Sequence, residues 1–129
     1  MLPLRYAYFW LSIGIVFLIT ILVLALVPAS RVSAIVIFSD KVSHFVSFFF
    51  LMLWFSGVFR LRLTPWVALG LLCFGLLIEY LQSLLPYRAA EMADAASDLG
   101  GILTGWLLAV AGLRHWTAFF EARWLTRKP

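Results

Sequence analysis

Residues able to do chemistry crowd into two short stretches of this chain. Four of its six acidic residues, Glu79, Glu91, Asp94 and Asp98, lie within residues 79–105. Asp40, Lys41 and His44 form the second group. Read as helices, each group shares a face: Asp40 and His44 are four apart, and Glu79 and Gln82 are three apart. Asp94, Asp98, Gly101 and Gly105 follow steps of four, three and four, making one stripe. Several chemistries suit these residue types. Glu79, His44 and Asp94 are the candidates for general acid and base work. The carboxylates and His44 also make a donor set for a divalent metal, although no His-Glu-x-x-His spacing or comparably specific ligand pattern is present. Arg88 can grip a phosphate or carboxylate through two bonds, or pair with Glu91 or Asp94. Ser43, Ser47 and Ser83 lack the strained glycine elbow of a nucleophile and are expected to bond to backbone. The plain alternative is that Glu79, Gln82 and His44 are interhelical hydrogen-bonding glue, worth about 0.6 kcal/mol per bond on average.

The elements that must position these residues are apolar helices. Of the 129 residues 64% are hydrophobic and 12% charged, with a mean hydropathy of +1.03. A soluble domain averages about 45–50% apolar and 25% charged, so this is expected to be an integral membrane protein. The pattern predicts one domain over 1–129: an all-α membrane protein, a bundle of four transmembrane helices over about 6–27, 41–59, 65–85 and 93–113. The tail 114–129 reads as a basic amphipathic helix lying on anionic lipid, with Trp116, Phe119, Phe120 and Trp124 among Arg114, Arg123, Arg127 and Lys128. The first apolar run is too long for a secretory signal, whose apolar region is about 7–15 residues, and is read as an uncleaved helix. Residues 32–38 are expected at the interface, Ser39 or Asp40 as a helix cap, and Thr64-Pro65 as the N-cap and first-position proline of the third helix. Cys73 is read as a small buried hydrophobe.

Charge sets the orientation. Arg5, Arg60, Arg62, Arg114, Arg123, Arg127 and Lys128, seven of the ten basic residues, fall on the side shared by both termini of a four-span chain. That places both termini in the cytoplasm and the acidic hairpin outside. The net charge of +4 is thus membrane topology and not a nucleic-acid surface. Gly101 and Gly105 let a neighbouring helix approach the acid-bearing face. An ionisable group at the bilayer centre costs about 2.5–3.5 kcal/mol, so Glu79 must be paired, protonated or open to a wet cleft. About eight polar groups gather where glue needs two or three, which favours an outward-opening cleft.

These blocks, D40-K-V-S-H44-F45-x-x-F48, E79-x-x-Q82 with P86-x-R88, and D94-x-x-x-D98-x-x-G101-x-x-x-G105, resemble the VanZ-like family of small bacterial membrane proteins. Its founding member is a teicoplanin-resistance accessory protein. The resemblance implies a bacterial cytoplasmic (inner) membrane, a helical bundle and a link to the cell envelope or to glycopeptide susceptibility; it implies no agreed reaction. By motif position, Asp40, Lys41, His44, Glu79, Gln82, Arg88 and Asp94 match the family's polar signature, while Asp98 departs from an expected Asn. The resulting expectation is a polar cleft binding an envelope lipid headgroup or lipid-linked precursor through Asp40, Lys41, His44, Glu79, Gln82, Arg88, Asp94 and Asp98. Lys41 and Arg88 would hold its anionic group. No cofactor is expected, a divalent metal being the alternative, and the oligomeric state stays open. The rivals are a lipid-headgroup hydrolase or transferase, with or without metal, a non-catalytic scaffold, and an exporter. The exporter is disfavoured because the first helix carries no acid.

Overall fold

A computed structural model describes residues 1–32 and 39–125. The described residues are helical and contain no strand. The first helix, α1 (Ala7–Leu26), has no charged residue and buries only Trp10 and Gly14; Tyr8, Phe9, Val16, Ile19 and Val23 face outward. Val27 is extended, as a residue before proline must be, and Pro28 ends the helix. A single turn, α2 (Ala29–Val32), follows. The expected interfacial segment 32–38 falls, from residue 33 onward, outside the described residues.

At the centre is α3 (Asp40–Ser56), which touches α1, α4 (Thr64–Ser83) and α5 (Met92–Val110). Its Phe48, Leu51, Met52 and Phe55 make the core with Leu71 and Ile78 of α4 and Ile102 of α5. The closest approach is α3 against α5. A Cβ at Gly101 would overlap the Phe45 carbonyl oxygen, and one at Gly105 would stand 2.7 Å from the Phe49 carbonyl oxygen. The small-residue stripe packs as its spacing predicts, because lipid offers helices little hydrophobic incentive to associate and close packing must supply it.

Several boundaries differ from expectation. Ser39 flanks α3 without a side-chain cap, although Asp40 does lie in the first turn. Thr64 is the first residue of α4 and not its cap; its hydroxyl donates to the Leu61 carbonyl across the turn Leu61–Leu63. Cys73 is exposed, not buried, on the outward face of α4. The helix expected over 41–59, α3, stops at Ser56, three residues early, and the Gly57 that follows it receives the Trp116 indole where a Cβ would collide with it.

Span count also changes. Ala7–Leu26 and Leu61–Ser83 are long and apolar enough to cross a membrane. A third crossing exists if Met92–Val110 and Leu113–Arg123, bent by 77°, are taken as one. Four were expected. With 17 residues, α3 rises only about 25 Å, short of a hydrocarbon core of about 30 Å.

The tail is helical from Leu113 to Arg123 and turns by 77° from α5. Gly112, at φ 125°, breaks the chain after α5, and a turn (Leu113–His115), a short helix α6 (Trp116–Phe120) and a wide turn (Glu121–Leu125) follow. Thr117 is buried and donates to the Gly57 carbonyl, while Trp116 Nε1 donates to the Leu53 carbonyl at 3.3 Å. The amphipathic pattern is real, since Phe119 and Phe120 are exposed. Its other face, however, docks on the bundle. Arg127 and Lys128 lie outside the described residues.

Candidate functional site

The start of α3, the end of α4 and the start of α5 converge at one end of the bundle. Asp98 is fully buried, and its Oδ1 lies 2.9 Å from His44 Nδ1. The other oxygen, Oδ2, rests against Gly75, where a Cβ would stand 2.5 Å away. Lys41 Nζ binds Glu91 Oε2 at 2.6 Å and reaches Asp94 Oδ1 at 3.6 Å. Glu79 Oε2 accepts the Glu91 backbone N–H at 3.0 Å, tying the end of α4 to the approach of α5. Asp40, His44 and Asp94 each offer a donor atom within 4.8 Å of the other two.

Six of the eight residues expected to form a ligand site are therefore placed together: Asp40, Lys41, His44, Glu79, Asp94 and Asp98. Gln82 lies on the same face of α4 but turns its amide to α1, donating to the Ala25 carbonyl at 2.9 Å. Arg88 has a different task from the one expected. Its Nε and Nη2 donate to the Val27 carbonyl at 3.1 and 2.6 Å, and Nη2 reaches the Leu24 carbonyl at 3.2 Å. It caps the negative end of the α1 dipole, so neither Glu91 nor Asp94 is its partner. Ser83 bonds to the Tyr80 carbonyl as expected, whereas the Ser43 hydroxyl has no partner among the described residues.

The electrostatics are unbalanced. Asp40, Glu79, Glu91, Asp94 and Asp98 face Lys41 and His44. Glu79 Oε1, Gln82 Oε1, Asp94 Oδ1 and Asp98 Oδ2 are buried without a hydrogen-bond partner among the described residues. At the exposed rim, the Lys41 ammonium bonded to Glu91 holds that carboxyl below its usual range.

The family described as VanZ/LLP1 matches residues 6–114. The chain belongs to the VanZ/LLP1 family. With helices of this apolarity it is a membrane protein. No curated protein and no solved structure matches it. The family match spans the whole polar end of the bundle, from Asp40 to Gly105.

Two participants escaped the sequence reading. Gly75 seats Asp98, and its signal was available: it precedes Glu79 by four and Gln82 by seven, on their face. Glu91 joins Lys41 and Glu79 across the rim, and only its place within the acidic stretch hinted at that.

Proposed function

We propose that this VanZ-family protein uses the polar end of its bundle to engage the headgroup of an envelope lipid or lipid-linked precursor. The observation that carries the reading is the gathering of His44, Lys41 and three buried carboxylates at one end of the bundle, with Glu79 Oε1, Asp94 Oδ1 and Asp98 Oδ2 making no hydrogen bond among the described residues. Lys41, exposed at the rim, is the cation available to a headgroup phosphate; Arg88 is held by α1. His44, Glu79, Asp94 and Asp98 organise the polar interior behind it.

In this reading the protein lies in the bacterial inner membrane with both termini cytoplasmic and the polar end outward. Four crossings then require α3 to span as a short helix packed against α1, α4 and α5. The exposed Phe119 and Phe120 would meet the inner leaflet.

The test compares wild type with Glu79→Gln and Asp94→Asn at equal membrane abundance. Co-purifying lipid is measured by mass spectrometry, and glycopeptide susceptibility in the host. The variants are expected to lose most of the bound lipid and to shift susceptibility. Wild-type behaviour from both removes the reading.

A further inference from the structure

Three observations at the polar end point beyond a headgroup site. Asp40, His44 and Asp94 present one donor atom each, all within 4.8 Å of one another. Asp98, fully buried, holds His44 through Nδ1 at 2.9 Å, which leaves Nε2 as the nitrogen able to ligate. Asp94 is 1% exposed, and its Oδ1 has no hydrogen bond, only Lys41 at 3.6 Å. The second observation is independent of the first. A histidine that ligates a metal nearly always gives its other ring N–H to a carboxylate or carbonyl, which fixes the tautomer and ring orientation.

We infer that Asp40, His44 and Asp94 bind a divalent transition-metal cation, with Asp98 as the positioning residue behind His44. One imidazole and two carboxylates suit zinc or manganese better than calcium, which takes oxygen alone. Three protein ligands leave a coordination position open to water or another oxygen ligand. Charge agrees: five carboxyl groups converge where, among the described residues, Lys41 is the lysine or arginine side chain bonded to them, while Arg88 turns to α1. Lys41 need not leave, because its shorter bond is to Glu91 at 2.6 Å. The cation also accounts for Asp98 where Asn would otherwise serve, since a carboxylate raises the basicity of the ligand it orients.

The rival explanation is that His44–Asp98 is only a bond between α3 and α5. In that case Asp40, exposed and outside that bond, would not matter. The experiment uses the full chain in detergent, stripped with chelator and titrated calorimetrically with Zn²⁺ alone and, separately, with Mn²⁺. Wild type is expected to bind one equivalent of at least one of them. Asp40→Asn and Asp94→Asn should weaken it at least tenfold, Asp98→Asn by about 10–100-fold, and His115→Gln, at the far end of the molecule, not at all. Absence of stoichiometric binding by wild type overturns the site, as does unchanged affinity in Asp40→Asn, the exposed variant least able to disturb folding. No lipid enters this titration, so its failure leaves the headgroup reading standing, and loss of lipid binding by a metal-loaded protein leaves the metal site standing.

Discussion

Asp98 is the residue on which the polar end turns, because it is fully buried with one oxygen on His44 and the other against Gly75. Removing one partner of a buried pair leaves the other uncompensated, which typically costs about 3–5 kcal/mol. His44→Ala is therefore expected to destabilise the protein by that order in reversible unfolding from micelles. The double variant His44→Ala/Asp98→Asn should recover about 1–3 kcal/mol of it, the coupling of groups in contact. Additive losses would show that the pair is not an energetic unit. Gly75→Ala attacks the same carboxylate from α4, and overpacking of this kind costs about 1–3 kcal/mol. Lys41–Glu91, by contrast, is exposed on both sides, and surface pairs contribute little. Its pH dependence has a definite sign. The folded carboxyl is lowered, so the bond contributes fully above the ordinary glutamate value of about 4.3 and fades as pH falls through the lowered one. A Glu91→Gln variant should accordingly differ from wild type in thermal stability near neutrality, slightly, and match it in strong acid.

At the scale of elements, α1 is held by opposite charges at its two ends. Arg88 meets its C-terminal carbonyls. At the other end Glu121 Oε2 accepts the Arg5 N–H at 2.9 Å, and Oε1 accepts the Tyr6 N–H at 3.0 Å and Trp10 Nε1 at 2.9 Å. Both signs match the helix dipole. Glu121→Ala would strand three donors and should cost about 2–4 kcal/mol, with hydrogen bonds to charged groups worth about 1.5–3 each. Glu121→Gln should fall between, since an amide can serve Oε1's donors but opposes the Arg5 N–H with its own. The helix interface makes a second contrast: Gly101→Ala must part α3 from α5, whereas Gly70→Ala meets nothing within 4 Å and should gain about 0.5–1 kcal/mol of helix propensity. The helices, the glycine stripe and the shared faces were legible because period and spacing are local. Partners were not, being 54 residues apart for His44–Asp98, 61 for Arg88–Val27 and 111 for Trp10–Glu121. Spacing alone therefore suits Arg88 to a ligand grip and does not show that α1 takes it up.

For the whole molecule the question is which end faces out, and the distribution of charge is the feature that bears on it. Arg5, Arg60 and Arg123 gather with Glu121 and Met1 at one end, where Arg60 Nε donates to the Met1 carbonyl and the Leu2 N–H to the Val58 carbonyl. Arg31, Lys41 and Arg88 stand at the other, with five acids. Basic residues near helix ends are retained in the cytoplasm, so the proposed orientation puts Glu121 inside and Asp94 outside. Labelling can decide it, since Cys73 is exposed and its replacement should be harmless. In a Cys73→Ser background, Ala90→Cys on the exposed loop before α5 should react with a membrane-impermeant maleimide in intact cells. Arg62→Cys, exposed in the turn before α4, should react only after permeabilisation. The reverse pattern would turn the polar end toward the cytoplasm, away from any extracytoplasmic headgroup. Equal labelling of both in intact cells would place the two ends on one side, which three crossings cannot explain and four spans in this order forbid.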